Sequence, residues 1–231
     1  MRKTIRELLK HINRKLFPVK FKEAHELAYW KGCLEKEGVL SNDHYKYFYL
    51  EFFDLEEEFY RNKCILDIGC GPRGSLEWAS MAHERVGLDP LAKEYLKLGA
   101  DKHAMTYIDA PSEQIPFSDQ HFDIVCSFNS LDHVFDVHQT LKEIKRIVKP
   151  GGYFLLIVEV NHSSTPTEPI VLGWDIVETL SDDFEILDVK QFEIGNHSIY
   201  NQILQNNVFD KSDLTDRPGI LTAKLRKNNG L

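Results

Sequence analysis

Basic residues, cysteines and long apolar runs are all scarce in this chain. Its 28 lysines and arginines face 36 acids, giving a net charge of −8 and a pI near 5.7. That balance lacks the basic footprint of nonspecific nucleic-acid binding, so no nucleic-acid partner is expected. The four cysteines, Cys33, Cys64, Cys70 and Cys126, show no C-x-x-C spacing. This argues against a zinc module or a disulfide framework. No metal is expected, and a cytoplasmic, reducing compartment is. No run of eighteen apolar residues is present, so no transmembrane helix is expected. The N-terminus lacks a secretory apolar core followed by a small-residue cleavage site. Internal repeats and low-complexity stretches are also missing.

What is present is an ordinary globular composition: 231 residues, 42% hydrophobic and 28% charged, enough for a sizeable core. The charge is uneven. Residues 1–22 hold eight Lys or Arg against the single acid Glu7, and the rest holds 20 bases against 35 acids. Residues 4–17 place Ile5, Leu8, Leu9, Ile12 and Leu16 at helical spacing, and Pro18 ends the run. This basic amphipathic helix is expected either to lie on an anionic membrane surface or to pack on the acidic body or a partner.

The chain is organised around Cys64-Ile65-Leu66-Asp67-Ile68-Gly69-Cys70-Gly71-Pro72-Arg73-Gly74-Ser75. An apolar strand runs into a glycine turn, and Ser75 is expected to cap a following helix over 76–82. Gly69 and Gly71 allow close backbone approach to a ligand. Gly69, Gly71 and Gly74 also satisfy G-x-G-x-x-G, with Asp89 twenty residues after the first glycine, which alone reads as a dinucleotide fingerprint. Asp67 discriminates. A carboxylate there repels a pyrophosphate and suits a cationic ligand such as S-adenosylmethionine, with its ammonium and sulfonium.

Five stretches then fall in order. Ile65 to Gly71 resembles motif I of the class I S-adenosylmethionine-dependent methyltransferases, in their small-molecule branch. Val86-Gly87-Leu88-Asp89-Pro90 resembles their second strand with its ribose-binding acid. Ser112-Glu113-Gln114-Ile115-Pro116-Phe117 resembles the adenine-side loop, and Phe122 to Ser127 the fourth strand. Leu141 to Leu156, with Lys149-Pro150-Gly151-Gly152, resembles the helix, turn and fifth strand. The resemblance covers about residues 60–160. It implies S-adenosylmethionine as cofactor and S-adenosylhomocysteine as product. By motif position Asp67 faces the amino end, and Gly69, Cys70 and Gly71 line the methionine part. Asp89 with Pro90 takes the ribose, Ser112 and Glu113 border the adenine, and Asn129 offers its carbonyl to the amino group.

The expected fold is α/β. It is a Rossmann-like open twisted sheet of about seven strands, mostly parallel with an antiparallel last strand, helices on both faces, and an N-terminal helical extension over 1–60 before a methyltransferase domain over 61–231. Strands are expected at 64–68, 84–88, 103–107, 122–127, 153–160 and 184–192, with the last over 220–225. Helices are expected at 20–37, 43–60 and 173–181. Residues 195–218 read as a long polar connection, a functional loop or a hairpin over the site.

For the acceptor side, Tyr29, Trp30 and Tyr45 are candidates for one wall, with core packing as their alternative. His133 and His162, at the ends of strands four and five, are candidate bases, since imidazole titrates near neutrality. Arg73, inside the glycine turn, suits an anionic acceptor group or a neighbouring carboxylate. Asn129 to His133 with Asn161 to Pro169 resembles small methyltransferases of bacterial surface-glycan and secondary-metabolite pathways. The expected activity is methyl transfer to oxygen of a small molecule: a sugar, a nucleotide sugar or a phosphate-like glycan precursor. The alternatives are a C- or N-methyltransferase of a quinone or other metabolite, an NAD-dependent oxidoreductase, and a cofactor-binding scaffold without catalysis. Oligomeric state is not legible.

Overall fold

The apolar runs of the sequence pair into one seven-stranded sheet in a computed structural model that describes residues 18–42, 45–165, 167–195 and 199–229. The basic stretch 4–17 lies outside the described residues. Strands β1 (Cys64–Ile68), β2 (Glu84–Leu88), β3 (Thr106–Ile108), β4 (Phe122–Phe128) and β5 (Val148–Val160) run parallel. β7 (Gly219–Lys227) inserts antiparallel between β5 and β6 (Phe184–Glu193), so the order is β3-β2-β1-β4-β5-β7-β6. The order reverses between β1 and β4. A cleft therefore opens at their carboxyl ends, where Ile68 pairs with Ser127.

Alternation along each strand sends neighbours to opposite faces. Leu66, Val125, Phe154 and Leu156 join one cluster with Leu141, Ile144 and Ile147 of helix α4 (Val137–Ile147). Ile65, Ile124, Leu155 and Ile157 join another with Phe48, Tyr49, Phe53 and Tyr60. A parallel sheet needs cover on both faces, and here aromatics supply the second layer. Asp136 caps α4 by accepting from the Gln139 N–H at 2.9 Å. No helix among the described residues is long and apolar enough to cross a membrane.

The first expected helix is present as α1 (Pro18–Glu37). The second is not. Residues 45–60 hold only α2 (Lys46–Tyr49) and two 3-10 turns, because Leu50 leaves helical dihedrals and Asp54 turns left-handed. Eight aromatics in that stretch cannot share one helical stripe, and the broken backbone brings most of them onto the sheet. No helix follows Ser75. Between β1 and β2 only fifteen residues are available, and residues 74–82 close as consecutive turns, with Glu77, Ala79 and Ala82 each donating to the carbonyl three residues before. Residues 173–181 form 3-10 turns over Trp174–Leu180.

The expected strand at 103–107 pairs only over 106–108, and α3 (Ala92–Leu96) lies between β2 and β3. Pro150 and Gly151 do not interrupt β5. They bulge, shifting the register from Phe122–Val148 to Ile124–Tyr153, and Gly151 takes a φ of 72°. The connection 195–218 contains a short helix, α5 (Ile199–Leu204).

Candidate active site

Above the carboxyl ends of β1, β2 and β4 lies a cavity of about 1110 Å³. Ligand sites run to roughly 300–1,000 Å³, so the cavity stands at the upper end of that range. Asp67, Gly69, Cys70, Gly71, Asp89, Pro90, Ser112, Glu113, Asn129 and His133 all line it, with Tyr29, Trp30, Tyr45 and Arg73. His162 does not.

The floor is built by the β1 turn. Gly69 sits at a φ of 70°, and a Cβ there would meet the Ser130 Cβ at 2.3 Å. Gly71, at 58°, would place one 3.1 Å from the Trp30 ring. Both positions require glycine for conformation and for space. Ser130 locks the arrangement by donating to the Ile68 carbonyl at 2.8 Å.

Asp67 is 3% exposed and accepts from the Tyr49 hydroxyl at 3.0 Å. Burial pushes its carboxyl up to about 6, with the Ser75 and Tyr49 hydroxyls opposing. Asp89, just past β2, accepts from the Leu91 N–H at 2.9 Å and the Gly71 N–H at 3.4 Å. Burial, then the nearby Glu26, raises it to about 7. Among the described residues neither acid has a basic side chain in ion-pair contact. Two buried carboxylates without a cation, beside a floor kept open by glycines, fit a ligand bearing an ammonium and a vicinal diol. That is the pattern of the nucleoside amino acid S-adenosylmethionine.

Ser112 bonds the Thr140 hydroxyl at 3.0 Å. Glu113 accepts from the Phe135 and Asp136 N–H groups at 2.7 and 3.0 Å, stapling the loop after β4 to the loop after β3. Asn129 takes a left-handed φ of 54° and donates its N–H to the Ile157 carbonyl at 2.7 Å. Cys70 is buried, and burial raises its thiol well above the ordinary range, so it is inert at neutral pH.

The roof comes from α1. Leu27 and Trp30 pack on Leu91, Tyr95 and Ala100, and Tyr29 stands 64% exposed at the mouth. Tyr45 rests on Tyr200, ring centroids 4.5 Å apart. Arg73 is not free to hold an acceptor anion. Its guanidinium makes two 2.7 Å bonds to Glu37 and a third to the Ser41 carbonyl at 3.1 Å, and lies 5.5 Å over the Trp30 ring. It latches α1 to the glycine turn.

The two histidines separate. His133 follows β4, and Lys22 donates to its carbonyl. Burial, reinforced by Lys22, holds its imidazole down to about 4, so it is neutral at physiological pH. His162 is buried behind Asp132, its Nε2 3.6 Å from Asp132 Oδ2. It is therefore set back from the cavity that a base would have to reach. Burial raises Asp132 to about 7.

Tyr49, Tyr200, Asp132 and Glu168 were not singled out from the sequence. Tyr49 is hidden in an aromatic-rich run, Tyr200 in the polar connection, and the two acids carry no spacing signal.

Residues 66–156 match the model of a methyltransferase domain. Over 128 residues the chain is 30% identical to a tocopherol O-methyltransferase of Arabidopsis thaliana, covering 52% of this chain and 37% of that one. Over 122 residues it is 30% identical to a demethylmenaquinone methyltransferase of Listeria welshimeri, covering 48% of each. The match thus spans less than half the length of these relatives. Among solved structures, a putative S-adenosylmethionine-dependent methyltransferase of Listeria monocytogenes superposes with a TM-score of 0.56 at 17% identity, covering 77% of this chain and 96% of that one.

Proposed function

We propose that the chain carries a class I S-adenosylmethionine-dependent methyltransferase domain, with S-adenosylmethionine as its cofactor, and that it methylates an oxygen of an uncharged small molecule, phenolic or polyhydroxylated. One observation carries the methyl-donor half. Asp67 and Asp89 are buried, lack a cation among the described residues and share one cavity. In this reading Asp67 takes the ammonium, Asp89 the ribose hydroxyls, and Ser112 and Glu113 border the base. The bound cofactor supplies a methyl group activated by a sulfonium.

The chain's own residues then orient the acceptor and exclude water. Such orientation is worth roughly 7–11 kcal/mol in favourable cases. Tyr29, Trp30 and Tyr45 form the aromatic wall. His133, neutral, lines the acceptor side of the cavity, and its Nε2 is buried without a hydrogen-bond partner among the described residues. The charge of the acceptor is argued from the lining: nine carboxylates against Lys22 and Arg73, both of which hold other groups. A phosphate or nucleotide-sugar acceptor has no counter-charge there, which turns the reading away from the charged glycan precursors first expected.

A second reading, transfer to a ring carbon of a quinone, is favoured by the aromatic wall and by the demethylmenaquinone methyltransferase among the relatives. The test is S-adenosylhomocysteine and NAD in thermal-shift assays, followed by transfer of labelled methyl to a panel of phenols, glycosides, nucleotide sugars and demethylated quinones. Stabilisation by S-adenosylhomocysteine alone, with label in an alkali-stable ether, is the expected result. Stabilisation by NAD overturns the cofactor assignment, and label on carbon replaces the first reading by the second.

A further inference from the structure

At the acceptor end of the cavity three side chains from two loops converge. The 3-10 turn Leu131–His133 after β4 supplies Asp132 and His133, and the loop after β5 supplies Glu168. Their nearest ligand-type atoms all lie within 4.8 Å of one another. His133 Nε2 is 3.9 Å from Asp132 Oδ2 and 3.9 Å from Glu168 Oε1. His162 Nε2 is 3.6 Å from the same Asp132 oxygen. These separations are too long for hydrogen bonds. They are a few tenths of an ångström wider than the roughly 3.4 Å between two ligands bound about 2.1 Å from one tetrahedral ion.

The polarity of the cluster is the second observation. Asp132 Oδ1, His133 Nε2 and His162 Nε2 are buried with no hydrogen-bond partner among the described residues, and Asp132 and His162 are each more than nine-tenths buried. His162 Nδ1 lies 3.1 Å from the Ser163 carbonyl. The ring nitrogen facing a carbonyl must carry a hydrogen, so in the neutral ring Nε2 holds the lone pair. That lone pair points at a carboxylate. Acceptor groups facing acceptor groups in a buried place need a proton or a metal ion between them.

We infer that Asp132, His133 and Glu168 hold one divalent transition-metal ion, with His162 behind Asp132, and that the ion's open positions face the acceptor oxygen. One imidazole and two carboxylates suit Mn²⁺ or Zn²⁺ better than Ca²⁺. Glu168 is held for the purpose. Its Oε2 accepts from the Thr165 hydroxyl at 2.9 Å, which leaves Oε1 toward His133. Asp132 anchors from within, while His133 and Glu168 line the cavity, so an ion there is closed behind and open in front. The comparable cluster Cys64, Glu84 and His121 is different. Its imidazole already closes on Glu84 at 2.7 Å. Cysteine spacing could not reveal the Asp132 site, whose ligands are two strand-end residues and one loop acid.

What the open positions do rests on the oxygen-acceptor reading, but the binding itself does not. The test is titration of the chelator-stripped full-length chain with Mn²⁺, followed by the electron paramagnetic resonance of the free ion, with Zn²⁺ as competitor. One ion per chain is expected, with micromolar affinity. Glu168→Gln, a change in a half-buried loop side chain, and Asp132→Asn are each expected to weaken it at least 10-fold. The thermal shift by S-adenosylhomocysteine should persist in the Glu168→Gln variant, which also reports that it folds. No saturable binding of Mn²⁺ or Zn²⁺ to 1 mM, or binding that Glu168→Gln leaves unchanged, overturns the site. If S-adenosylhomocysteine gives no shift in the unsubstituted chain while Mn²⁺ still binds, the cofactor reading fails and the ion site stands.

Discussion

Asp67 and Asp89 keep their protons in the folded apoprotein up to about pH 6 and about pH 7, whereas unfolded aspartates titrate near 4. A raised carboxyl pKa adds stability that is full below pH 4 and lost as the pH rises through 6–7. The melting temperature of the apoprotein should therefore fall between pH 4.5 and 7.5, and the fall should shrink in an Asp67→Asn/Asp89→Asn variant. Above pH 7 that variant should be more stable by about 2–4 kcal/mol per site, as the burial of charge is relieved, yet should not bind S-adenosylhomocysteine. In the proposed binding mode the ligand takes both groups ionised, so binding at pH 6 should release protons. Calorimetry in buffers of different ionisation enthalpy reads that number directly. The glycine floor gives a prediction of opposite sign. Gly69→Ala combines a left-handed φ with a Cβ 2.3 Å from Ser130, and should cost about 2–5 kcal/mol in urea unfolding.

At the scale of elements, α1 is fastened to the cofactor turn by Arg73 and Glu37. The Arg73 side chain is largely covered while that of Glu37 is partly exposed, so the pair is worth about 1 kcal/mol. Arg73→Ala and Glu37→Ala should each speed hydrogen exchange across α1. Their effects should not add, because either change removes the same bond.

This latch also marks where the sequence stops being legible. β1 and β2 fall where the sequence places them, since each ends in buried residues and is closed by a turn. α1 does as well. The stretch 45–60 was misread because its aromatics satisfy a helical and a broken backbone equally, and only the sheet face decides between them. Ser75 was misread because local capping chemistry says nothing of how little chain remains before β2. The burial of Asp67 and Asp89 at the carboxyl ends of β1 and β2 was legible because each acid stands at or just after a short strand that a turn closes. The partner of Arg73 was not, being 36 residues away. The meeting of Asp132 with Glu168 depends on the same kind of distant closure, between the ends of β4 and β5.

For the molecule as a whole, charge is concentrated where the ligands meet. The chain carries −8 overall, and the cavity's nine carboxylates outnumber its two cationic side chains, both already engaged. Low-dielectric walls focus such a field into the cleft. The methyl donor bears one positive charge more than its product, so the field favours entry of S-adenosylmethionine and weakens retention of S-adenosylhomocysteine. Exposed parts of that field are screened over a length of about 10 Å at 0.1 M salt, and more tightly as salt rises. The ratio of the two affinities should consequently fall, by about 3-fold between 20 mM and 500 mM salt, with the loss carried by the donor. Quenching of the fluorescence of Trp30, which lines the cavity beside Gly71, is the convenient readout. Equal salt slopes for the two ligands would mean that the loose carboxylates are neutralised before the donor arrives, and that the cavity does not discriminate by charge.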